Sequence, residues 1–128
     1  MAVSVNVSPS AYPLGTSGNS RHVVDPAVTN VAQSVAPSGP IYAVLIDCTS
    51  NPRENVYLKI KNAASIASVS ACRPDHQFYC AAGKTVMYSI PEGFVMNTGI
   101  SYYASVEPGV GGATAPSGTV IVRMIIDT

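Results

Sequence analysis

The stretch that decides the fold is residues 84–106, KTVMYSIPEGFVMNTGISYYASV. Residues 85–90 alternate Val, Tyr and Ile with Thr, Met and Ser, which is the period of a strand with one buried face. Pro91-Glu92-Gly93 predicts that this strand ends at a corner, because proline fixes φ and has no N–H to donate. Asn97-Thr98-Gly99 predicts a turn, and the alternating residues 100–106 predict a second strand.

The rest of the chain from residue 40 shows the same punctuated strands. Residues 41–48 are almost continuously apolar, which is typical of a strand buried on both faces or packed against another subunit. In residues 56–61 the Val, Leu and Ile positions predict a core face, and the Tyr and Lys positions predict a solvent face. A loop rich in Gly and Pro over residues 107–118 precedes a central strand over residues 119–127. The sequence therefore predicts an all-β, antiparallel β-sandwich of jelly-roll or immunoglobulin-like type over residues 40–128.

The first 39 residues have a different texture. Valines alternate with polar residues at the start, and prolines and glycines then punctuate a segment rich in Ser, Ala, Asn and Val. We predict that residues 1–39 form an extended N-terminal arm that becomes ordered on a partner by strand addition or groove contact. The alternative is that this segment supplies edge strands of the sandwich itself. The predicted partner-binding residues are Val3, Val5, Val7, Tyr12 and Leu14 in the arm and Tyr103 in the sandwich.

Composition narrows the class of function. Charged residues make up 11% of the 128 residues, against roughly 25% in ordinary soluble domains, and the formal net charge is zero. Weak charge repulsion favours self-association or residence in a larger assembly. No basic stripe is present to neutralise phosphates, so nucleic acid is not an expected partner. No apolar run approaches the roughly 20 residues that span a bilayer, and residues 1–20 lack the pattern of a secretory signal, so we expect no membrane partner and folding in a cytoplasm.

Three cysteines give the clearest candidate for metal chemistry. Cys72, His76 and Cys80 form a C-x3-H-x3-C pattern, to which Cys48 or Asp75 could add a fourth zinc ligand. The spacing is not a common zinc signature, and a proline interrupts the helix that would align the three side chains. We therefore predict no metal site and three free thiols that behave as small hydrophobic groups, although a Cys72–Cys80 disulfide is geometrically possible.

Other candidate catalytic groups are scattered. Ser, His and Asp lie close together in residues 20–25, but neighbours in an extended segment rarely converge as a triad. Glu92 and Glu107 border turns, where surface glutamates are ordinary. Residues 109–112 are not a phosphate loop, because no Lys-Ser/Thr and no helix follow them. The sequence predicts no catalytic residue and no cofactor.

Tyrosines raise a separate possibility. Tyr88, Tyr102 and Tyr103 offer flat rings of the kind that stack on sugars. The favoured interpretation is that Tyr88 and Tyr102 face the core and that Tyr103 lies at an interface.

Two segments carry a family resemblance. Residues 93–102 read GFVMNTGISY, which fits the pattern Gly-Leu/Phe-x-x-x-Thr-Gly-Leu/Ile-Ser-Tyr, and residues 56–65 read VYLKIKNAAS, a hydrophobic strand followed by Asn-Ala. Together they resemble a small β-sandwich domain of tailed-phage virion proteins, over residues 40–128. The resemblance implies a non-enzymatic decoration or cement protein of the phage head, made in the host cytoplasm, that self-associates and binds the major capsid protein or another virion protein. The alternative function is a carbohydrate-binding adhesion module of a phage tail or head fibre.

Overall fold

The computed structural model describes residues 3–7, 21–36 and 38–127, and these residues form an almost entirely β structure. A single turn of 3-10 helix, η1 (Val69–Ala71), is the helical element of this part of the chain. No helix among the described residues is long and apolar enough to cross a membrane. The strands are β1 (Ser4–Val7), β2 (Arg21–Asp25), β3 (Gln33–Ala36), β4 (Gly39–Asp47), β5 (Val56–Asn62), β6 (His76–Cys80), β7 (Thr85–Met96), β8 (Ile100–Ser105) and β9 (Ile121–Ile126).

The strands form two sheets that pack face to face. One sheet has five strands in the order β1-β2-β9-β4-β7, and the other has four in the order β3-β8-β5-β6. Every neighbouring pair is antiparallel. The predicted all-β antiparallel sandwich is confirmed.

The core lies between the two sheets and follows from the alternation within each strand. In β5 the apolar positions 56, 58 and 60 are fully buried, as their period predicts. In β9 the apolar even positions are buried, while Arg123 on the other face is exposed. Large side chains at the centre of the core are Val23, Ile41, Ile46, Leu58, Ile60, Met96, Ile100, Tyr102, Met124 and Ile126.

The predicted boundary between an arm at residues 1–39 and a sandwich at 40–128 is wrong for residues 21–36. Strand β2 lies inside the five-stranded sheet between β1 and β9, and β3 pairs with β8 in the other sheet. Val23 is 0% exposed and Val28 is 2% exposed, so this segment contributes to the core. The alternative, in which the segment supplies edge strands of the sandwich, is right for β3, whereas β2 is an interior strand. Residues 8–20 lie outside the described part of the chain.

The corner predicted at Pro91–Gly93 is a bulge rather than the end of a strand. Strand β7 continues to Met96, and its register against β4 shifts, so that residues 90–93 lie opposite Tyr42 alone. Gly93 has φ +69°, and a Cβ there would come within 2.8 Å of the Tyr42 ring. The bulge therefore changes the direction of β7 around Tyr42, while β7 stays paired with β4 on both sides of the bulge.

The turn predicted at Asn97–Gly99 is confirmed, and it carries the chain from one sheet to the other. The Asn62 side-chain oxygen accepts hydrogen bonds from the backbone N–H of Thr98 at 2.8 Å and of Gly99 at 3.3 Å. A Cβ on Gly99 would lie 2.4 Å from the Ala63 carbonyl oxygen, so only glycine fits there. The Asn-Ala and Thr-Gly motifs on which the resemblance rests are therefore in direct contact, through the Asn62 hydrogen bonds and the close packing of Gly99 on Ala63.

Candidate functional site

The outer face of the four-stranded sheet is covered at Lys59 and Tyr103, contrary to the solvent face predicted for the lysines of β5. Lys59 is 0% exposed, because the loop after β8 returns across it. Its ammonium donates hydrogen bonds to the carbonyl oxygens of Gly109 at 2.8 Å and Gly112 at 3.1 Å. Burial lowers the pKa of Lys59, and the Glu107 carboxylate partly offsets this. The lysine thus anchors a glycine-rich loop to the sheet.

Tyr103 lies beside this lysine, and the prediction that it contacts a partner is wrong. Its side chain is 0% exposed, and the Lys59 ammonium lies 5.7 Å from the centre of its ring. Among the described residues, no atom meets hydrogen-bond geometry with its hydroxyl. Burial raises the pKa of Tyr103 to about 12, and the neighbouring Cys72 thiol adds to this. We call Lys59, Cys72 and Tyr103 the Lys59 cluster.

A surface cleft of about 430 Å³ opens next to the Lys59 cluster. The segment between β5 and β6 forms most of it, and the β8–β9 loop contributes one valine. An exposed ion pair, Lys61 with Asp75 at 3.8 Å, lies at its edge. The cleft is lined by Lys61, Ser65, Ile66, Ala67, Ser68, Ala71, Cys72, Arg73 and Val110.

The three candidate zinc ligands do not converge. Cys72 lies on the outer side of the four-stranded sheet, whereas Cys80 is fully buried in the core on the inner side. His76 packs against Phe94 in a tilted ring pair with centroids 4.1 Å apart. No group of three His, Cys, Asp or Glu side chains with metal-site geometry occurs in the described part of the chain. The sheet also separates the Cys72 and Cys80 thiols, and both are free, as the sequence predicted.

The neighbour of Cys80 is instead Cys48, at the end of β4. Both thiols are free and fully buried, and the Cys80 thiol donates to the Lys84 carbonyl oxygen at 3.3 Å. Burial raises the pKa of Cys48 to about 12, with a further contribution from Cys80. These two cysteines behave as the small hydrophobic groups that the sequence predicted.

The scattered polar candidates serve the fold. Asp25 faces the core, where it accepts a hydrogen bond from the Tyr102 hydroxyl at 2.8 Å, while His22 lies on the opposite face of β2. The Glu107 carboxylate accepts two hydrogen bonds from Thr114, at 2.8 and 2.7 Å, and these lower the pKa of Glu107. Glu92 is exposed in the bulge of β7, on the other sheet. Ser20 lies outside the described residues.

The three tyrosines considered for sugar stacking pack against the protein, as the favoured interpretation expected for Tyr88 and Tyr102. Tyr102 is fully buried, as expected of a core residue, and Tyr103 is covered. Tyr88 packs on Phe78 with ring centroids 5.0 Å apart and donates its hydroxyl to the Tyr79 carbonyl oxygen. Within residues 3–7, 21–36 and 38–127, the large aromatic side chain that is exposed is Tyr79, at 43%, and it forms a tilted pair with Tyr57 at 5.5 Å. The odd position of Tyr79 in β6 is the sequence signal that its side chain faces outwards.

The outer face of the five-stranded sheet presents several apolar side chains from neighbouring strands. Met87 is 63% exposed, and it faces a shallow cavity of about 120 Å³. We call Ala43, Leu45, Met87 and Ile125 the outer apolar face; His22 and Arg123 lie at its rim. Residues 41–48 were predicted to form a strand that is buried on both faces or packed against another subunit. The inner face of this strand is buried in the core. That the outer face packs against another subunit stays a prediction.

The remaining predicted partner-binding residues lie at the N-terminus. Val3 is half-buried and packs against the core, and partner binding by this residue stays a prediction. Val5 and Val7 lie in β1, an edge strand of the five-stranded sheet. Tyr12 and Leu14 lie outside the described residues, so partner binding there stays a prediction.

Alkaline pH should test the buried acids of this structure. The folded pKa values of Cys48 and Tyr103 are raised to about 12, and that of Tyr102 is also raised. Their contribution to stability is complete below the unfolded values, about 8.5 for Cys and 10 for Tyr, and is lost as pH rises towards the folded values. We expect the free energy of unfolding, measured in urea, to fall steadily above about pH 9. Tyr103→Phe should make the free energy of unfolding fall less steeply with pH. An equally steep fall in this variant would contradict the raised pKa of Tyr103.

Comparison with known proteins is limited to distant structures. No protein-family model matches the chain, and no curated protein matches it. The cupin domain of an XRE-family transcriptional regulator from Enterobacter cloacae aligns at 10% identity and a TM-score of 0.32, over 98% of this chain and 96% of that one. The CBM22-1 and GH10 modules of a Clostridium thermocellum endo-1,4-β-D-xylanase, complexed with xylohexaose, align at 11% identity and a TM-score of 0.30, over 98% of this chain and 24% of that one. Alignments this weak carry no argument about function.

Proposed function

We propose that this chain is a non-enzymatic structural subunit of a phage virion, of the decoration or cement type, and that it docks through its outer apolar face. The observation that carries the proposal is the exposure of Met87, at 63%, beside Leu45 and Ile125 on neighbouring strands. A contiguous apolar patch with a polar rim is typical of a protein-binding surface. The virion setting comes from the sequence resemblance.

The chemistry of the patch fits a lattice contact. Full burial of one side chain such as Met87 contributes about 1.5–3 kcal/mol, less the cost of ordering the interface. The chain carries only seven basic and seven acidic side chains, so charge repulsion between neighbouring copies is weak. Val95, 61% exposed near the end of the edge strand β7, extends the apolar surface to a strand edge that another chain can pair with.

A charge placed on the patch should abolish docking. We expect Met87→Glu to weaken co-sedimentation with capsids assembled from the major capsid protein encoded with this chain by at least about tenfold, or 1.4 kcal/mol. Val31→Glu is the matched control, because Val31 is 60% exposed but lies in the β2–β3 connection. Equal binding by both variants would exclude the outer apolar face as the docking surface. Failure of the wild-type chain to bind would contradict the virion proposal itself.

The rival function, carbohydrate binding, is supported by a different pair of residues from those predicted. Tyr57 and Tyr79 form the exposed aromatic pair on the four-stranded sheet, and aromatic faces stack on sugars. A glycan array separates the two functions. Binding by the wild-type chain that Tyr79→Ala removes and Met87→Glu leaves intact would favour the adhesion module.

A further inference from the structure

The cleft beside the Lys59 cluster has the size and lining of a small-molecule site. Its volume of about 430 Å³ falls in the range of ligand pockets, roughly 300–1,000 Å³. Ile66 and Val110 give it an apolar wall, and Lys61 and Arg73 give it two positive charges. Asp75 does not fully neutralise Lys61, because an ion pair at 3.8 Å between half-exposed side chains is weak. The charge of the cleft therefore suits an anionic ligand.

One of the three thiols in the chain belongs to this cleft. Cys72 lines it and is 7% exposed, whereas Cys48 and Cys80 are 0% exposed in the core between the sheets. Cys72 is therefore the cysteine that borders a surface opening. The other two thiols require the sandwich to open first.

A buried tyrosine hydroxyl neighbours the Cys72 thiol. Tyr103 is 0% exposed, and among the described residues its hydroxyl has no hydrogen-bond partner. A buried donor left in this state is costly unless something at the site can accept its hydrogen bond. The Cys72 thiol is a neighbour of this hydroxyl, so the hydroxyl is available to a negatively charged sulfur. The Lys59 ammonium, also fully buried, lies within 5.7 Å of the same ring.

We propose that this cleft is a thiol-exchange site, where Cys72 forms a mixed disulfide with a small anionic disulfide of the glutathione class. Lys61 and Arg73 attract the carboxylates of the reagent, and the Tyr103 hydroxyl hydrogen-bonds to the attacking sulfur. The Cys72 thiol releases its proton to solvent, and its thiolate forms a bond to one sulfur of the reagent. The reagent's own S–S bond breaks, and its other half leaves as a thiolate that takes up a proton. Cys72 is oxidised, the released half is reduced, and no other reactant is needed.

The test compares two disulfides of opposite charge. The folded chain is treated with glutathione disulfide, which is anionic, or with cystamine, which is cationic, and the adduct is followed by intact mass and located by peptide mapping. Each rate is divided by the rate for the urea-unfolded chain, which cancels the intrinsic reactivity of the reagent. We expect glutathione disulfide to be favoured by about tenfold or more, with the adduct on Cys72, and the preference to shrink as salt shortens the Debye length.

Two double variants, each of which removes two positive charges, show whether the preference for the anionic disulfide depends on the charges of the cleft or on the net charge of the protein. Lys61→Gln/Arg73→Gln should lose most of the preference, and Arg53→Gln/Lys84→Gln, at exposed positions outside the cleft, should keep it. Equal preference in the folded and unfolded chains, or an adduct formed first on Cys48 or Cys80, would overturn the proposal. So would a preference that survives Lys61→Gln/Arg73→Gln.

Tyr103→Phe tests the role of the hydroxyl. The change removes the donor and keeps the buried ring, so it should slow both reagents by the same factor and leave the preference between them unchanged. Unchanged absolute rates would contradict the hydrogen bond assigned to Tyr103. None of these measurements depends on a capsid, so the result stands apart from the outcome of the docking experiment.

Discussion

A chain that begins at Pro37 should fail to fold. The deletion removes β1, β2 and β3, and β2 is an interior strand whose ladder with β9 runs from Arg21–Ile126 to Asp25–Val122. Its loss exposes one edge of β9 in the middle of the sheet and uncovers the core where Val23 is packed. We expect the truncated chain to lack a cooperative thermal transition and to lose the β-sheet circular dichroism of the full chain. A truncated chain that melts like the full one would show that residues 1–36 form a separable arm.

A matched pair of substitutions makes the same point in the full-length chain. Val23 and Val24 are neighbours in β2, but Val23 is 0% exposed in the core and Val24 is half-buried on the outer face. Val23→Ala removes two buried methyl groups and leaves a cavity, so it should lower the free energy of unfolding by about 2 kcal/mol. Val24→Ala should change it by less than about 0.5 kcal/mol, as outward-facing substitutions usually do. Similar losses in both would mean that β2 does not hold its place in the sheet.

The N-terminal segment shows why sequence reasoning set the domain boundary too late. A buried strand there needs only Val23 and Asp25 on its core face, and two residues are too few to establish a period. Its prolines and glycines were correct indicators of irregular connections, but they do not exclude a five-residue strand between those connections. The decisive information is the pairing of β2 with β9, a partner at the far end of the chain.

The burial of Lys59 on the outer face of β5 could not be predicted from the sequence for a related reason. Alternation correctly placed Leu58 in the core and Lys59 on the opposite face. It could not show that the glycine-rich loop would return to accept hydrogen bonds from Lys59, because Gly109 lies 50 residues further along the chain. The cleft and the Lys59 cluster depend on that return. Local patterns therefore predicted the sandwich, whereas the site depends on long-range contacts of loops.

The hydrogen bond between Tyr102 and Asp25 should be the strongest single polar tie between the two sheets. The Tyr102 hydroxyl donates to the Asp25 carboxylate at 2.8 Å, and both side chains are 0% exposed. The second carboxylate oxygen accepts from the Ala27 N–H at 3.2 Å. Asp25→Ala leaves a buried hydroxyl unsatisfied and should cost about 3 kcal/mol, and Tyr102→Phe leaves a buried carboxylate short of a donor and should cost about 2–4 kcal/mol.

The double variant shows whether Asp25 and Tyr102 stabilise the fold through their shared hydrogen bond or independently of each other. Because each single substitution already breaks the same bond, Asp25→Ala/Tyr102→Phe should cost less than the sum of the two by about 1–3 kcal/mol in urea unfolding. Tyr57→Phe is the control, since this half-exposed tyrosine lies on the outer face of the other sheet and its loss should stay within about 0.5 kcal/mol. Strict additivity would show that the pair does not couple β2 to β8. Coupling of the expected size would show that a residue from the apparent arm holds the central tyrosine of the Thr-Gly-Ile-Ser-Tyr motif in place.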